Sequence, residues 1–364
     1  MRVVIAGGGT GGHLYPGIAV ARELLARDDS TQITFAGTAT GIEARVLPRE
    51  GFALDVIRSG GLKGKSLADR LRGLWLLPIG VVDAWKLISR RQPQLVIGVG
   101  GYSSGPVVFA AAWRGIPTMV LEQNAVPGLT NRLLAPLVRA AAVTYESTRS
   151  FFGEKAVVSG NPVRSEFFGL AGPSAREANA DAGSPVVRVL VFGGSQGAHA
   201  INVAMVEAAT ELAARSPHLR ITHQTGERDV EMVRAGYRAA GIQADAEPFF
   251  YDMGRQLENA DLIVCRAGAT TLAEVAAAGR AAILIPLPTA TDDHQRKNAE
   301  ALATMGAADV LLQKDAVGSA LSNRILSLAA DSSARTRMAT AARRFAKPDA
   351  AKVIVDRALQ LVGK

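Results

Sequence analysis

The amino-acid sequence predicts an α/β protein built from two doubly wound parallel-sheet domains. Short runs of β-branched residues alternate with segments of helical periodicity along the whole chain, which is typical of a parallel sheet with helices on both faces. A chain of 364 residues corresponds to two domains at about 100–200 residues each. The alternation stops and restarts once, so we expect one sheet on each side of the interruption.

The predicted elements follow one another in a regular order. The strands predicted for the first domain are Arg2–Ala6, Gln32–Ala36, Leu54–Arg58, Leu95–Val99, Thr118–Glu122 and Ala140–Val143. Helical periodicity between them predicts helices at Pro16–Arg27, Ser66–Arg91 and Ser104–Trp113. The stretch from Gly169 to Pro185 has almost no large apolar residue and indicates a surface connection near the domain boundary. The strands predicted for the second domain are Val186–Phe192, Arg220–Gln224, Leu262–Cys265, Ala282–Ile285 and Ala308–Leu312.

The composition excludes several classes of protein. Hydrophobic residues make up 48% and charged residues 20% of the chain, as in globular rather than disordered proteins. The single cysteine, Cys265, rules out an intramolecular disulfide and a cysteine-based metal site. The net charge of +8 favours a polyanionic partner: phosphates, nucleic acid or an anionic membrane. No nucleic acid is expected, because aromatic residues are only 5% and no recognised nucleic-acid module is present.

No targeting or membrane-spanning segment is expected either. The N-terminal strand runs into glycine too early for a signal peptide. The longest uncharged apolar stretch, Gly73–Val82, contains Pro78 and Gly80 and is far shorter than the roughly 18 residues of a span. We therefore expect a soluble protein, or one that lies on a membrane surface.

Three glycine-rich loops follow predicted strands: the first glycine loop (Gly7–Gly12), the second (Gly100–Gly105) and the third (Gly193–Gly197). Such loops point backbone N–H groups at an anion beside a helix N-terminus. The first loop matches the dinucleotide fingerprint G-x-G-x-x-G, but no carboxylate follows the second strand before Glu43, which disfavours an oxidoreductase. Residues 64–66 resemble the end of a P-loop, but Ser59 stands where glycine is required, so an NTPase is disfavoured.

A second group of polar residues follows the strand Leu262–Cys265. The segment Arg266–Thr271 leads into a predicted helix that begins at Leu272, with Glu274 in its first turn. There Glu274 could accept hydrogen bonds from a sugar diol or act as an ordinary capping residue. Further along, Asp292, Asp293 and His294 are consecutive, and consecutive residues rarely converge on one ion. We expect no metal and no cofactor.

These motifs together resemble those of the MurG family of bacterial peptidoglycan N-acetylglucosaminyltransferases. They run in the family's order over nearly the whole chain. The matching segments are Gly8-Gly9-Thr10-Gly11-Gly12-His13, Pro16-Gly17, Gly100-Gly101-Tyr102, Glu122-Gln123-Asn124, Gly128-Leu129-Thr130-Asn131, Gly160-Asn161-Pro162-Val163-Arg164, Gly193–Gly197, Cys265–Glu274, and Asp292-Asp293-His294-Gln295 with Asn298.

The resemblance implies a GT-B fold, with two Rossmann-like domains facing a central cleft. An N-terminal domain (1–162, completed by a C-terminal helix, 346–364) would bind lipid I and face the membrane, and a C-terminal domain (163–345) would bind UDP-GlcNAc. The implied reaction transfers GlcNAc, with inversion, from UDP-GlcNAc to the C4 hydroxyl of MurNAc in lipid I, giving lipid II and UDP. The implied location is the cytoplasmic face of the bacterial inner membrane, as a peripheral protein.

The resemblance also implies site residues. His13 and Glu122 would be catalytic, with His13 acting either as general base or only as a hydrogen-bond donor. The loops for the acceptor pyrophosphate would be formed by Gly8, Gly9, Gly100, Gly101 and Tyr102. The substrate-binding residues would be Thr10, Gly11, Gly12 and Asn124 on one wall, and Arg164, Ser195, Phe250, Ala269, Thr270, Thr271, Leu272, Ala273, Glu274 and Gln295 for the donor.

The segment from Leu62 to Arg91 has the composition of an interfacial membrane anchor, although most of its apolar residues are expected to pack on the sheet. Its apolar residues are Leu67, Leu71, Leu74, Trp75, Leu76, Leu77, Ile79, Val81, Val82 and Trp85, and its basic residues are Lys63, Lys65, Arg70, Arg72, Lys86, Arg90 and Arg91. We expect a minority, including Trp75 or Leu76, to be exposed. Contacts with other proteins of cell-wall synthesis or division stay open.

Three other functions are compatible with the donor motifs: a GT-B enzyme that acts on diacylglycerol or a secondary metabolite, a UDP-sugar 2-epimerase, and a nucleotide-binding module without turnover. The N-terminal half distinguishes them, because only the lipid I transferase needs its acceptor loops.

Overall fold

The computed structural model describes residues 1–60, 67–169, 186–194, 196–216 and 218–363, with the backbone alone for residues 67–75, 77 and 165. The predicted surface connection therefore lies, after Gly169, outside the described residues. Internal contacts divide the chain into two compact units. The first unit is Met1–Arg164 with Lys347–Lys364, and the second unit is Ser165–Ala346.

The first unit contains, among its described residues, a seven-stranded sheet in the order β3-β2-β1-β4-β5-β6-β7. Every neighbouring pair runs parallel. The strands are β1 Arg2–Gly7, β2 Gln32–Gly37, β3 Ala53–Val56, β4 Leu95–Gly100, β5 Thr118–Glu122, β6 Ala140–Val143 and β7 Ala156–Val158.

Helices cover both faces of this sheet. They are α1 Gly11–Arg27, α2 Glu43–Val46, α3 Leu67–Arg91, α4 Ser104–Trp113, α5 Leu129–Leu134, α6 Glu146–Phe152 and the C-terminal helix Ala350–Gln360. On one face, Leu14 and Ile18 of α1 share a buried core with Ile354 of the C-terminal helix. On the other face, Leu87 of α3 and Val107 of α4 pack in a second core. The end of the chain therefore completes the first unit.

The second unit repeats this architecture with a six-stranded parallel sheet in the order β10-β9-β8-β11-β12-β13, as far as the described residues show. Its strands are β8 Val187–Phe192, β9 Leu219–Gln224, β10 Ala244–Glu247, β11 Leu262–Cys265, β12 Ala281–Leu284 and β13 Asp309–Val310. Its helices are α7 His199–Arg215, α8 Val230–Ala240, α9 Met253–Asn259, α10 Ala269–Ala278, α11 His294–Thr304, α12 Gly318–Ala330 and α13 Ser332–Phe345.

The predicted fold class, two doubly wound parallel α/β domains, is confirmed, with differences at the sheet edges. Strands β7 and β10 were not predicted. Strand β10 reads Ala-Asp-Ala-Glu, without a β-branched residue, and it pairs only with β9 through its backbone. The predicted strand Ala308–Leu312 is reduced to the two residues of β13. Edge strands are buried on fewer sides, so the apolar pattern that reveals central strands is weak there.

Helix α1 also begins earlier than predicted. The sequence places its start at Pro16, because proline favours the first helical position, whereas α1 begins at Gly11 with Pro16 inside it. Pro16 lacks the N–H group that would donate to the Gly12 carbonyl, so the helix loses one backbone hydrogen bond within its first two turns. The earlier start places His13 in the first turn of a 17-residue helix.

The strand order defines where each unit can bind a ligand. In open parallel sheets, ligands bind at the carboxyl ends of the strands where the order reverses. This position lies beside β1 and β4 in the first unit and beside β8 and β11 in the second. The first and second glycine loops follow β1 and β4, and the third follows β8. Each unit therefore carries its glycine loops at its own switch point.

Across the part of the chain that the structure describes, every helix is too short or too polar to span a bilayer.

Candidate active site

The first and second glycine loops lie against each other with almost no space between their backbones. A Cβ atom on Gly101 would lie 2.5 Å from the carbonyl oxygen of Gly8. Thr10 is the N-cap residue of α1, its backbone is extended, and its side chain makes no capping hydrogen bond. The first turn of a helix presents N–H groups and the positive end of the helix dipole. The start of α1, at Gly11 and Gly12, is therefore suited to an anion or a sugar oxygen.

His13 is held between two other elements of the same unit. Its Nδ1 atom lies 3.3 Å from Oε1 of Gln123, the residue that follows β5. On another side is Gly100, at the end of β4, with a φ angle of +98°. A Cβ atom at this position would lie 2.6 Å from His13 Nδ1. Glycine at position 100 thus permits both the positive φ angle and the close approach of the His13 imidazole.

Glu122 is buried and its carboxylate is engaged by four donors. Oε1 accepts hydrogen bonds from the backbone N–H and the side-chain amide of Asn124, at 3.0 and 3.2 Å. Oε2 accepts from the Gly128 N–H at 2.9 Å and from Asn131 Nδ2 at 2.8 Å. The geometry makes Glu122 an anchor for the loop after β5, and it fixes the backbone and side chain of Asn124. Tyr102, in the second glycine loop, is exposed.

Glu43 is a site residue that the sequence analysis did not identify. It is fully buried, and its carboxylate accepts hydrogen bonds from the Gly9 N–H at 2.8 Å, the Thr38 N–H at 2.9 Å and the Thr38 hydroxyl at 2.8 Å. A Cβ atom on Gly8 or Gly41 would collide with this carboxylate. Burial alone would raise the pKa of Glu43, but the hydrogen bonds outweigh burial and hold this pKa below its ordinary value.

The Glu43 contacts change the interpretation of the first glycine loop. Because the Gly9 N–H already donates to a buried carboxylate, it does not point at a phosphate. Glu43 also cannot serve as the ribose-binding carboxylate of a dinucleotide site, since it is enclosed by its own loop. One feature of the sequence could have indicated this role: Glu43 is the first carboxylate after β2 and follows a segment rich in glycine and threonine. Its contact with Gly9, however, is formed only in the folded chain.

In the second unit, Gln224 connects the third glycine loop to the segment expected to face the base. Its Nε2 donates to the Gly194 carbonyl at 2.8 Å, and its Oε1 accepts from the Phe250 N–H at 2.9 Å. Gln224 is buried at the carboxyl end of β9, so both bonds are at least partly shielded from water. Ser195, the predicted donor contact in this loop, lies outside the described residues. Sequence reasoning did not find Gln224, because its partners are distant in the chain.

Helix α10 begins at Ala269, with Gly268 as its N-cap, and this corrects the position of Glu274. The sequence analysis placed the helix start at Leu272 and Glu274 in the first turn. Glu274 lies instead in the second turn, because residues 269–271 already have helical geometry after the Gly268 cap. The helix dipole, which acts within the first turn, is therefore a weaker reason for a carboxylate at position 274.

The residues at the start of α10 divide into two groups. The side chains of Thr270, Leu272 and Ala273 are buried. These residues would therefore contact a ligand through their backbone and not through their side chains. Ala269, Thr271 and Glu274 are only partly buried. The predicted donor segment therefore offers the first-turn N–H groups together with the side chains of Thr271 and Glu274.

Two polar side chains, the buried Arg266 and the partly buried Gln295, join the loops beside α10. Arg266 donates to the Ile285 carbonyl at 3.0 Å and to Gln313 Oε1 at 2.7 Å, and burial lowers its pKa from the ordinary value. Its partners are neutral, so its positive charge is not compensated by them. Gln295 Oε1 accepts from the backbone N–H groups of Ala267 and Leu287, at 3.3 and 3.0 Å. The Gln295 carbonyl oxygen thus ties the loop after β11 to the loop after β12.

Arg164, predicted to contact the donor, belongs to the first unit. Its guanidinium lies 5.5 Å from the ring centroid of Tyr15 in α1, within the range of a cation–π contact.

The described residues contain no group of three His, Cys, Asp or Glu side chains that could hold a metal ion.

The described site residues lie in two groups, one in each unit, with Arg164 in the first unit. Comparison with known proteins also divides the chain into two parts. The N-terminal domain of glycosyltransferase family 28 matches residues 3–143, and the C-terminal domain of that family matches residues 188–354.

Two relatives match the chain over its length. A curated protein from Pelobacter propionicus, named UDP-N-acetylglucosamine–N-acetylmuramyl-(pentapeptide) pyrophosphoryl-undecaprenol N-acetylglucosamine transferase, is 47% identical over 99% of this chain and 99% of its own. The crystal structure of Acinetobacter baumannii MurG has 32% identity and a TM-score of 0.79, and the match covers 99% of both chains.

A third protein shares only the fold. UDP-GlcNAc 2-epimerase from Neisseria meningitidis, in a crystal structure with bound UDP-GlcNAc, has a TM-score of 0.70 over 99% of this chain and 100% of its own, but 14% identity. The identity over the full length separates the first two relatives from this one. The chain therefore belongs to glycosyltransferase family 28 and, within it, to the MurG family of N-acetylglucosaminyltransferases, with the two Rossmann-like domains of the GT-B type.

Proposed function

We propose that the chain transfers GlcNAc from UDP-GlcNAc to the C4 hydroxyl of MurNAc in undecaprenyl-pyrophosphoryl-MurNAc-pentapeptide (lipid I), with inversion, giving lipid II and UDP. The observation that carries the proposal is the 47% identity, over 99% of both chains, to a relative that bears the name of this transferase. The organisation of the site, with glycine loops at both switch points, supports it.

The second unit is proposed to bind the donor. The third glycine loop and the first turn of α10 supply N–H groups for the diphosphate, and the buried charge of Arg266 favours an anion nearby. The carbonyl of Phe250 faces the base, because its N–H is held by Gln224. Glu274 accepts hydrogen bonds from the ribose diol. UDP leaves with its own negative charge, and these donors stabilise that charge as it develops.

The first unit is proposed to bind the acceptor. His13 is the general base: it takes the proton of the C4 hydroxyl while the hydroxyl oxygen attacks the anomeric carbon and the bond to UDP breaks. The N–H groups of Gly11 and Gly12, at the start of α1, face the substrate. Tyr102 and Gly101 contribute the exposed part of the acceptor surface.

For Glu122 we propose a positioning role in place of a catalytic one. Its four hydrogen bonds occupy both oxygens, so a direct contact with substrate would cost some of them. It acts through Asn124, whose side-chain amide it holds toward the site.

The first unit is also proposed to lie against an anionic membrane surface. Four exposed apolar residues of α3 and α4 form an aromatic patch: Val82, Trp85, Phe109 and Trp113. The Phe109 and Trp113 rings lie 6.0 Å apart, and the Arg114 guanidinium lies 5.0 Å from the Trp85 ring. Lys86 is exposed on α3, and Arg139, exposed just before β6, donates to the Gly115 carbonyl shortly after α4. Aromatic side chains with a basic border are suited to the interface of an anionic bilayer.

The described residues cover only part of the predicted anchor. The residues Lys63 and Lys65, and the side chains of Leu67, Arg70, Leu71, Arg72, Leu74, Trp75 and Leu77, lie outside them. Leu76 is half-buried. Trp113, the most exposed member of the aromatic patch at 75%, was predicted only as the last residue of the helix Ser104–Trp113.

The direct test measures UDP release with UDP-GlcNAc alone and then with lipid I. We expect release only with lipid I, accompanied by lipid II. Epimerisation or hydrolysis of UDP-GlcNAc without lipid would indicate a 2-epimerase instead, and transfer to diacylglycerol would indicate a different glycosyltransferase.

In the same assay, His13→Ala should lower turnover by about 10²–10⁴-fold, while UDP-GlcNAc still binds. The control is His218→Ala, at an exposed position, which should not lower turnover. Near-normal turnover of His13→Ala would remove His13 from the mechanism.

A further inference from the structure

The contact between Gln123 and His13 determines which nitrogen of the imidazole carries the proton. We propose that Gln123 is a positioning residue that fixes the Nδ1–H tautomer of His13, so that Nε2 is the nitrogen that accepts the proton of the acceptor hydroxyl. This inference rests on the proposed role of His13 as general base.

The orientation of the Gln123 amide follows from its other partner. Gln123 is 2% exposed, and its Nε2 donates to the Val99 carbonyl at 3.0 Å. A carbonyl oxygen can only accept hydrogen bonds, so the NH₂ end of the amide must face Val99. The Oε1 end is thereby directed at His13. Flipping the amide would place two acceptors against each other inside the protein, which costs free energy.

The tautomer of His13 then follows from the same reasoning. Oε1 of Gln123 lies 3.3 Å from His13 Nδ1, and an amide oxygen is an acceptor, so Nδ1 must be the donor. A neutral imidazole carries one N–H. With the proton on Nδ1, the lone pair required of a base is on Nε2. The packing of Gly100 against Nδ1 holds the ring in this orientation.

The neutrality of the Gln123 amide is itself part of the inference. A carboxylate at this position would stabilise the imidazolium and would leave less of the neutral base. Two carboxylates lie on the surrounding elements, Glu43 beneath the first glycine loop and Glu122 at the end of β5. Glu43 accepts from the N–H groups of Gly9 and Thr38, and Glu122 accepts from those of Asn124 and Gly128. The Arg164 guanidinium lies over Tyr15. Gln123 thus selects a tautomer without adding charge beside the base.

The transfer step balances with this assignment. The C4 oxygen of MurNAc forms a bond to the anomeric carbon of GlcNAc, and the bond from that carbon to the UDP oxygen breaks. The electron pair leaves with UDP, and the hydroxyl proton moves to His13 Nε2. The resulting imidazolium keeps its Nδ1–H bonded to Gln123.

The test compares the full-length protein with Gln123→Leu, Gln123→Glu and a control, Gln32→Leu, whose side chain is exposed on β2. We expect Gln123→Leu to lower kcat by about 10–100-fold, the range found when the partner that orients a metal-bound imidazole is removed, with KM for UDP-GlcNAc unchanged. The ¹⁵N spectrum of the imidazole should show the Nδ1–H form in the unaltered protein and a mixture in Gln123→Leu. Gln32→Leu should behave as the unaltered protein.

Gln123→Glu keeps the shape of the side chain and covers the case in which Gln123→Leu does not fold. One carboxyl oxygen then faces the Val99 carbonyl, and it must be protonated to keep that hydrogen bond. The other oxygen still accepts from Nδ1–H of His13, so the ¹⁵N spectrum should keep the Nδ1–H form that Gln123→Leu loses. An Nε2–H tautomer in the unaltered protein, or a mixture of tautomers in folded Gln123→Glu, would overturn the inference. The role of His13 as general base fails separately, through full turnover in His13→Ala, and the proposed function fails if lipid I gives neither UDP release nor lipid II.

Discussion

Individual buried or partly buried polar side chains in both units hold loops in place. Glu43 and Glu122 collect N–H groups of the acceptor loops, and Gln224 and Gln295 do the same for the donor loops. Each makes hydrogen bonds that are shielded from water, and removing one partner leaves buried polar groups unpaired at a cost of about 1–3 kcal/mol. Such residues set the positions of backbone groups in the loops.

Glu274 is proposed to contact the ribose directly, and its substitution separates this role from helix capping. Glu274→Ala should weaken UDP binding by about 1.5–3 kcal/mol, because a charged acceptor of two hydrogen bonds is lost. Its place in the second turn of α10 argues against a capping role, so the thermal stability should change little. Calorimetric titration with UDP measures the effect.

A matched control for Glu274 is Glu258→Ala, which removes a carboxylate from α9 in the same unit. UDP binding should be unaffected there. Unchanged UDP affinity in Glu274→Ala, with lowered stability, would return Glu274 to a structural role.

At the scale of elements, a buried polar network joins β9 to α7 and α8. His223 is fully buried on β9, with Nδ1 2.7 Å from the Tyr237 hydroxyl and Nε2 3.0 Å from Asn202 Oδ1. Asn202 also donates to Asp229, at 2.9 Å. Because β9 ends in Gln224, this network holds the strand that supports the third glycine loop.

The network should make stability depend on pH in a defined direction. Burial lowers the pKa of His223 from 6.5 to about 3, so the unfolded chain binds a proton below about pH 6.5 that the folded chain does not. The stabilisation that results from this difference in pKa is fully present above about pH 6.5. It is lost as the pH falls toward 3, at up to about 1.4 kcal/mol of unfolding free energy per pH unit. Urea unfolding at pH 7 and pH 5 measures the slope.

His223→Gln removes the titrating group and should make this pH slope shallower. His218→Gln serves as the control, since His218 is exposed and its loss should leave the slope as it is. Equal slopes for His223→Gln and the unaltered protein would show that another group carries the pH dependence.

At the scale of the whole molecule, the net charge of +8 and the aromatic patch lead to one prediction about membranes. Co-sedimentation with vesicles should require anionic lipid and should decrease with salt, because each basic residue at the surface contributes about 1 kcal/mol through a screened attraction. The double variant Trp85→Ala, Trp113→Ala should bind less, through lost apolar insertion, and Lys86→Gln with Arg139→Gln should weaken the salt-dependent part.

Activity on a water-soluble acceptor analogue should be retained in these variants, because the aromatic patch is not part of the proposed site. Met305→Ala, at an exposed apolar position of the second unit, is the control and should not change vesicle binding. Equal binding to neutral and anionic vesicles at every salt concentration would contradict the electrostatic part of the proposal.

Much of the fold was predictable, because central parallel strands are buried on both sides and their β-branched runs are visible in the sequence. The glycine loops were predictable for the same reason, since each directly follows such a strand. The starts of the helices were less predictable. Helix α1 begins before Pro16 and α10 before Leu272, and the sequence did not indicate this because segments of glycine and threonine carry no apolar periodicity. The edge strands β7 and β10 depend on pairing that their own residues do not specify.

The sequence alone determined the order of elements, the fold class and, through the order of its motifs, the family. The tertiary structure decided which distant residues meet: Gly9 and Glu43 are 34 positions apart, and His13 and Gln123 are 110 positions apart. Periodicity and capping signals report on neighbours within a turn or a strand, whereas these contacts depend on β1, β4 and β5 lying side by side in the sheet. The strand order, which results from burying the whole core at once, therefore decides how His13 is held.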